Sequence, residues 1–203
     1  MIVLAIDTAT DAAGVALRTD AGTIGRRIAW RRAFVETAPA AEALLAAAGL
    51  GWPDLEALAI PAGPGSFTGL RVGAAFALGL AETRGIALHA VPTLAAVAEA
   101  WAPPGAPRVR AEMDARRGRR YAAVLERANG GWRTVEGPFD LEPEAAARLG
   151  GDLPRAAAEG DGPAVAGALS RLVAADPGRW RLASPERLEL VYVRPGVDPP
   201  WPR

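Results

Sequence analysis

Residues 63–73 read GPGSFTGLRVG, a glycine-rich stretch of the kind that can bind phosphate through backbone amides. A Walker phosphate loop needs a lysine after its last glycine, but Leu70 and Arg71 follow Gly69 here. The dinucleotide-binding motif GxGxxG would need a glycine at position 68, but the third glycine is Gly69. The nucleophile elbow GxSxG of hydrolases needs a glycine two residues before and two after its serine, but Pro64 and Thr68 hold those positions around Ser66. None of the three common chemical interpretations of this stretch holds.

Composition excludes several kinds of reaction. All 23 basic residues are arginine, so no lysine is present to bind a phosphate or form a Schiff base. The absence of cysteine excludes thiol nucleophiles, disulfides and zinc-thiolate sites. His89 is the only histidine, and we interpret it as a strand residue of the apolar stretch IALHAV with its ring at a boundary. The carboxylates form no dense cluster at ligand spacing, so we predict no metal site. No motif places a serine or cysteine nucleophile beside His89, so we also predict no catalytic residue, and we expect no cofactor.

The formal net charge is zero, from 23 basic and 23 acidic residues. A protein that binds nucleic acid by itself needs clustered positive charge, and this balance argues against it. One dense basic patch, ARRGRR, contains Arg116, Arg117, Arg119 and Arg120. Two interpretations stay open: a solvated hairpin end, or contact with nucleic-acid phosphate or an acidic partner surface.

The chain starts with MIVLAIDTAT, which has no basic residue ahead of its apolar run. Asp7 interrupts the run after six residues, which is too short for a signal peptide or a membrane span. We expect a cytoplasmic protein that does not enter a membrane.

Strand and helix signals alternate along the chain, which predicts an α/β fold. Short apolar runs bounded by turn residues predict strands at residues 2–6, 14–18, 23–30, 55–60, 86–91, 108–114, 120–127, 132–136 and 155–159. Helical periodicity and cap residues predict helices at residues 39–48, 67–84, 93–101, 143–149 and 163–174. A proline-rich linker at residues 102–107 divides this pattern into a βββαβα unit and a reduced copy of it. We therefore predict two lobes, residues 1–105 and residues 106–203.

The helix after the glycine-rich stretch has a face of small residues. We expect Ser66 to cap its first turn and Gly85 to end it in the left-handed conformation. Gly69, Gly73, Ala77 and Ala81 recur every four residues and form what we call the small-residue stripe, with Phe76 and Leu80 beside it. Glycine inside a helix costs about 1 kcal/mol relative to alanine, so something must approach this stripe closely. That neighbour is either the chain's own sheet or a second polypeptide.

Five motifs give the chain a family resemblance over almost its whole length. They are LAIDTATDAAGVAL (4–17), GPGSFTGLRVGAAFALGLA (63–81), VPTLAAVA (91–98), MDARRGRRYAAV (113–124) and YVRP (192–195). Together they resemble the TsaB (YeaZ-like) family, dimerisation subunits of the bacterial machinery that adds threonylcarbamoyl to the adenosine beside the tRNA anticodon. The resemblance implies an actin-like ATPase (ribonuclease H-like) fold with two βββαβα-type lobes, the second one reduced.

The resemblance also implies partners. A member of this family is a non-catalytic scaffold that pairs with TsaD, is joined by TsaE, meets tRNA through the assembled complex, and can form a homodimer when TsaD is absent. The helix after GPGSFTG is implied to form the interface, in a bundle of equivalent helices from both partners. The interface residues so implied are Ser66, Phe67, Gly69, Leu70, Arg71, Gly73, Phe76, Ala77 and Leu80, and on this view the stripe faces the partner.

The implied fold suggests one alternative function. In actin-like ATPases the first hairpin contacts phosphate and metal, and Asp7, Thr8 and Thr10 occupy that turn here. They are the candidates for nucleotide binding, and the alternative function is a small actin-like nucleotide-binding ATPase. Asp7 can instead accept hydrogen bonds from the backbone of its own turn. For the basic patch, the resemblance makes tRNA the nucleic acid to consider.

Overall fold

The structure is a computed structural model that describes residues 1–158 and 163–193. A five-stranded mixed sheet dominates its first half. Its strands are β1 (Val3–Asp7), β2 (Gly14–Thr19), β3 (Gly22–Arg27), β4 (Ala57–Gly63) and β5 (Ala87–Pro92). They lie in the order β3-β2-β1-β4-β5. The first three strands form an antiparallel meander, and β4 and β5 continue the sheet parallel to β1. Every residue of β1 and β4 is buried, as their continuous apolar sequences require.

A second, four-stranded sheet repeats most of this arrangement. Its strands are β6 (Arg108–Arg116), β7 (Arg119–Ala128), β8 (Gly131–Leu141) and β9 (Arg155–Ala157). The order is β8-β7-β6-β9, with an antiparallel meander followed by a parallel strand. Within the described residues, this sheet lacks a counterpart of β5. The predicted pair of βββαβα-type units, the second one reduced, is therefore confirmed.

Within the described residues, five α-helices cover the sheets: α1 (Ala33–Ala47), α2 (Phe67–Arg84), α3 (Thr93–Trp101), α4 (Pro143–Arg148) and α5 (Ala164–Ala175). Alternate residues of β1 point to opposite sides of the first sheet. Leu4 and Ile6 pack in the core beneath α1 and α2. Val3 and Ala5 pack on the other side, in a core that α3 and α5 share with the second sheet. The two halves of the chain thus share one core, and the division at residue 105 stays a prediction.

One predicted helix begins in the wrong place. The sequence predicts a start at Pro39, but α1 begins at Ala33 and contains Pro39 in its interior. The additional turn is stabilised by the Glu36 carboxylate, which accepts a hydrogen bond from the Ala29 amide at 2.8 Å. Thr37, which is buried, donates to the Ala33 carbonyl at 2.6 Å.

The remaining predicted elements are present, α2 and α3 with the predicted bounds and the others with shifted ends. The predicted strand 155–159 and the YVRP motif run partly outside the described residues, at position 159 and at positions 194–195. None of the helices described here is both long enough and apolar enough to cross a membrane.

Candidate protein-docking surface and central cleft

The start and end of α2 follow local sequence signals. The Ser66 hydroxyl accepts a hydrogen bond from the Gly69 amide at 3.2 Å, which caps the first turn. Gly85 adopts φ 66° and ends the helix in the left-handed conformation. Both predictions are confirmed.

The small-residue stripe faces the chain's own sheet. An ideal Cβ on Gly69 would lie 1.9 Å from the Thr8 carbonyl oxygen, and one on Gly73 would lie 2.6 Å from the Thr8 hydroxyl. Ala77 and Ala81 are buried in the core beneath α2. The idea that the stripe lies bare for a second polypeptide is therefore wrong. The glycines are needed because the turn after β1 packs against the helix backbone.

This orientation divides the implied interface residues into two groups. Those buried inside the molecule are Gly69, Leu70, Gly73 and Ala77, and as the chain is folded they cannot contact a partner directly. Ser66, Phe76 and Leu80 are half-buried, while Phe67 and Arg71 are exposed. Any interface on α2 must use its outward face.

The outward faces of α1 and α2 carry large apolar side chains. Phe34, near the start of α1, is 84% exposed, and Phe67, at the start of α2, is 52% exposed. Between the two helices lies a groove of about 520 Å³ that we call the α1–α2 groove. Its lining is formed by Ala33, Phe34, Thr37, Phe67, Thr68, Arg71, Val72, Ala75 and Phe76. Exposed aromatic side chains beside an open apolar groove are typical of a protein-binding surface.

The Phe67 ring is held between two other side chains. The Arg71 guanidinium lies 3.9 Å from the centre of the ring, one helical turn further along. The Tyr192 ring lies 5.1 Å from it, centre to centre, so the C-terminal segment contacts this end of α2. Sequence reasoning missed both Phe34 and Tyr192 as surface residues. The stretch AFVETA, with two apolar residues at a helix start, was the only signal that could have indicated Phe34.

The turn after β1 directs its polar groups inward. The Asp7 carboxylate accepts hydrogen bonds from the Ala9 amide at 2.9 Å, the Thr10 amide at 3.2 Å and the Thr10 hydroxyl. Thr8 donates its hydroxyl proton to the Gly69 carbonyl at 2.6 Å. Full burial raises the pKa of the Asp7 carboxyl to about 6, although these hydrogen bonds oppose the change. The interpretation of Asp7 as a residue that caps its own turn is confirmed.

A central cleft of about 700 Å³ lies between this turn, the start of α2 and the β6–β7 hairpin. Arg116 crosses it from the hairpin, forms an ion pair with Asp11, and holds its guanidinium 4.9 Å from the centre of the Trp30 ring. Thr10 lines the cleft, but Asp7 and Thr8 do not. Of the three candidate nucleotide-binding residues, the structure thus brings one to the cleft.

The basic hairpin is partly neutralised within the chain. Arg116 pairs with Asp11 and Asp114, and Arg119 pairs with Asp140 and Glu142. Arg120 lies 3.7 Å from a Glu112 carboxylate oxygen. Arg117 is exposed at the tip, and in the described part of the chain it has no ion pair. Contact with tRNA or an acidic partner through these four arginines stays a prediction.

His89 is more deeply buried than expected. Its ring is 2% exposed, and its two nitrogens lie 3.2 Å from the Leu58 carbonyl oxygen and 3.0 Å from that of Pro177. It therefore links β5 to β4 and to the C-terminal segment, instead of lying at a boundary. Across residues 1–158 and 163–193 there is no group of three or more side chains that could hold a metal ion.

The fold places the chain in a class of proteins. A meander continued by parallel strands, repeated in a smaller second unit, defines an actin-like, ribonuclease H-like protein. Residues 16–160 match the family described as "TsaD: tRNA N6-adenosine threonylcarbamoyltransferase". The chain belongs to this family, and within it to the TsaB (YeaZ) proteins.

Individual relatives agree with this placement. The "tRNA threonylcarbamoyladenosine biosynthesis protein TsaB" of Escherichia coli K12 is 41% identical over 148 residues, which cover 71% of this chain and 64% of that protein. The protein of the same name from Bacillus subtilis 168 is 33% identical over 135 residues, covering 64% and 57%. The solved structure "YeaZ from Pseudomonas aeruginosa" has a TM-score of 0.75 at 25% identity, over 95% of this chain and 99% of that one. The matched region spans less than two thirds of the length of these two curated relatives.

Proposed function

We propose that this chain is a non-catalytic subunit in the formation of threonylcarbamoyladenosine in tRNA. In this proposal it binds a TsaD-type partner through the α1–α2 groove, and TsaE joins the pair. The relatives named above carry tRNA threonylcarbamoyladenosine biosynthesis in their names, which supports the pathway. The tRNA is bound by the assembled complex, since the net charge of the chain itself is zero.

The observation that carries this proposal is the exposure of Phe34 beside the α1–α2 groove. Burying an exposed aromatic side chain in an interface removes a large apolar area from water. The groove also offers Phe67 and Phe76 as neighbours on the same surface. A partner that presents equivalent helices would cover all three rings at once. The same surface would allow a homodimer when TsaD is absent.

The polar side chains of the turn after β1 point into the molecule, which supports the non-catalytic part of the proposal. Asp7 and Thr8 both make their hydrogen bonds within the chain, and neither lines the central cleft. A general acid or base must reach the reacting proton at hydrogen-bond distance, directly or through one water. The residues that an actin-like enzyme would use at this position are therefore structural in this proposal.

The experiment is reconstitution of the modification. The chain is co-purified with TsaD and TsaE, and threonylcarbamoyladenosine formation in a tRNA transcript is measured with and without it. We expect co-purification, and modification that depends on this chain. Modification at the full rate without the chain would contradict the proposal.

The second candidate is a small actin-like ATPase, and the central cleft is the observation that favours it. A volume of about 700 Å³ is large enough for a nucleotide, and Trp30 and Tyr121 in its lining could contact a base. Calorimetry with ATP and magnesium on the isolated chain separates the two candidates. Tight binding or turnover would favour the ATPase, and the subunit proposal expects neither.

A further inference from the structure

The outer face of the second sheet contains a depression of about 570 Å³ in which arginine predominates. Residues of β6 alternate between the two faces, so Val109 and Ala111 enter the core while Arg110 and Glu112 lie on the outer side. Arg120 of β7 and Arg155 of β9 line the same depression. This site shares no lining residue with the α1–α2 groove, and it shares only Asp114 with the central cleft.

Glu112 lies at the centre of the cluster and is 4% exposed. Its carboxylate accepts hydrogen bonds from Arg110 Nε at 2.6 Å and from Arg155 Nε at 3.1 Å, and Arg120 lies 3.7 Å away. Burial alone would raise the pKa of the Glu112 carboxyl, but the bonds from Arg110 and Arg155 outweigh it and hold the pKa below its usual value. A buried, charged acceptor therefore fixes the arginines around it.

The cluster contains more positive than negative charge. Two carboxylates line the depression, Glu112 and Asp114, and Asp114 pairs with Arg116 of the same hairpin. Arg110 and Arg120 share Glu112, so one positive charge remains beside it even when Arg155 is left out of the count. Arg119, also in the lining, does not add to this surplus because Asp140 and Glu142 already pair with it. A surplus of one charge matches the single negative charge of a phosphodiester.

The Arg120 guanidinium has N–H groups that can donate hydrogen bonds to a ligand. The Arg120 side chain is 25% exposed, and at 3.7 Å its contact with Glu112 is an ion pair that is too long for a hydrogen bond. Arg110, in contrast, also donates to the Ala147 carbonyl at 2.7 Å and is held in place. A guanidinium presents five N–H groups in a planar fork, which suits two phosphate oxygens at once. Arg120 is thus positioned to donate to an anion in the depression.

We propose that this depression binds a phosphate group of an RNA backbone, with Arg120 as the contacting residue and Glu112 and Arg110 as positioning residues. The choice of RNA as the occupant rests on the proposed function, and the phosphate chemistry rests on the cluster itself. Among the four arginines of the basic hairpin, this assigns the RNA contact to Arg120. Arg116 and Arg119 instead tie the hairpin to the rest of the chain.

The test uses the chain co-purified with TsaD and TsaE and a fluorescently labelled tRNA transcript, with binding followed by anisotropy over a series of salt concentrations. We expect Arg120→Gln to weaken binding about tenfold at low salt and to reduce the slope of log K against log salt by about 1. Arg26→Gln removes an exposed arginine from β3, an edge strand of the first sheet that does not line the depression, and serves as the matched control with little effect. Arg120→Lys keeps the charge but not the fork, and it should retain the slope while losing part of the affinity.

Several results would overturn the inference. An equal effect of Arg120→Gln and Arg26→Gln would mean that only overall charge matters, and tRNA binding by the Arg120→Gln complex as tight as that of the wild-type complex would exclude the site. Binding of polyglutamate that depends on Arg120 as strongly would show an acidic-protein site. Binding of inorganic phosphate without tRNA would show a small-anion site. The modification assay is read separately, so the inference can fail while the proposed function stands.

Discussion

Thr8 and Gly69 are in direct contact across the start of α2. The Thr8 hydroxyl donates to the Gly69 carbonyl at 2.6 Å, and the Thr8 carbonyl oxygen occupies the space where a side chain at position 69 would begin. The turn after β1 is therefore fastened to the backbone of the helix. This contact explains the glycine at position 69 without any second polypeptide.

We predict that Gly69→Ala destabilises the monomer by about 3 kcal/mol, because the added methyl group meets a backbone oxygen that cannot move freely. Gly79→Ala on the same helix is the matched control. Gly79 is exposed, and a Cβ added there would have no other atom within 4 Å, so this change should stabilise the helix by about 1 kcal/mol. Urea denaturation of both variants measures the difference. Equal stability of the two variants would contradict the packing described here.

Gly73→Leu should also disrupt the packing of α2 against the turn after β1. Its side chain would extend toward the Thr8 hydroxyl, which lies 2.6 Å from the Cβ position. We expect this variant to lose its cooperative thermal transition, as followed by circular dichroism. A folded Gly73→Leu monomer that no longer binds a partner would instead restore the stripe as an intermolecular surface.

The raised pKa of the buried Asp7 carboxyl leads us to predict that the stability of the fold falls as the pH rises towards neutral. Burial raises the pKa of its carboxyl from 3.8 to about 6, so the folded state holds the proton more tightly than the unfolded state does. The resulting stabilisation is fully present below the unfolded pKa and is lost as the pH rises through the folded pKa. Asp7→Asn is neutral at every pH, and its side chain can still accept from the Ala9 and Thr10 amides and donate to the Thr10 hydroxyl.

We therefore expect Asp7→Asn to be more stable than the wild type at pH 7, by up to about 3 kcal/mol, with the difference vanishing toward pH 4. Denaturation of both proteins across this pH range checks the sign. A variant that is less stable at pH 7 would show that the carboxylate has a favourable role. The same variant should support tRNA modification at the wild-type rate, because Asp7 is structural in the proposed function.

Loss of the Ser66 cap at the start of α2 should have a smaller effect on stability. Ser66→Ala removes the acceptor for the Gly69 amide and should lower the free energy of unfolding by about 1 kcal/mol. Partner binding should not change beyond what this loss of stability causes. Calorimetric unfolding and a titration with the partner, both on the same preparation, measure the two quantities. A stability equal to that of the wild type would mean that water replaces the cap.

Local signals made the ends of α2 predictable, since Ser66 and Gly85 act within one turn of their own positions. The start of α1 was not predictable in this way, because it depends on the bond between Glu36 and Ala29 that exists only once the chain has turned. The periodicity of α2 correctly grouped Gly69 with Gly73 and Ala77 on one face. Sequence alone could not say what that face meets, and the contact with Thr8 is a tertiary fact.

The candidate site was predictable to a similar extent. The family motifs indicated α2, and Phe67 and Arg71 of the implied interface are exposed. Phe34 was missed because a phenylalanine is expected in the core, and only the fold shows that it is left outside. Arg120 could not be separated from the other arginines of its hairpin until the carboxylates that pair with Arg116 and Arg119 were located.

The most direct test of the docking proposal is the affinity of the Phe34→Ala variant for the TsaD-type partner, measured by calorimetry. Because Phe34 is 84% exposed, its removal should leave the stability within about 0.5 kcal/mol of the wild type. We expect the dissociation constant to rise at least about thirtyfold, as for a central aromatic side chain of an interface. Ile24→Ala, at a 42% exposed apolar residue of β3, is the control and should bind as the wild type does. Wild-type affinity of Phe34→Ala would contradict docking through the α1–α2 groove.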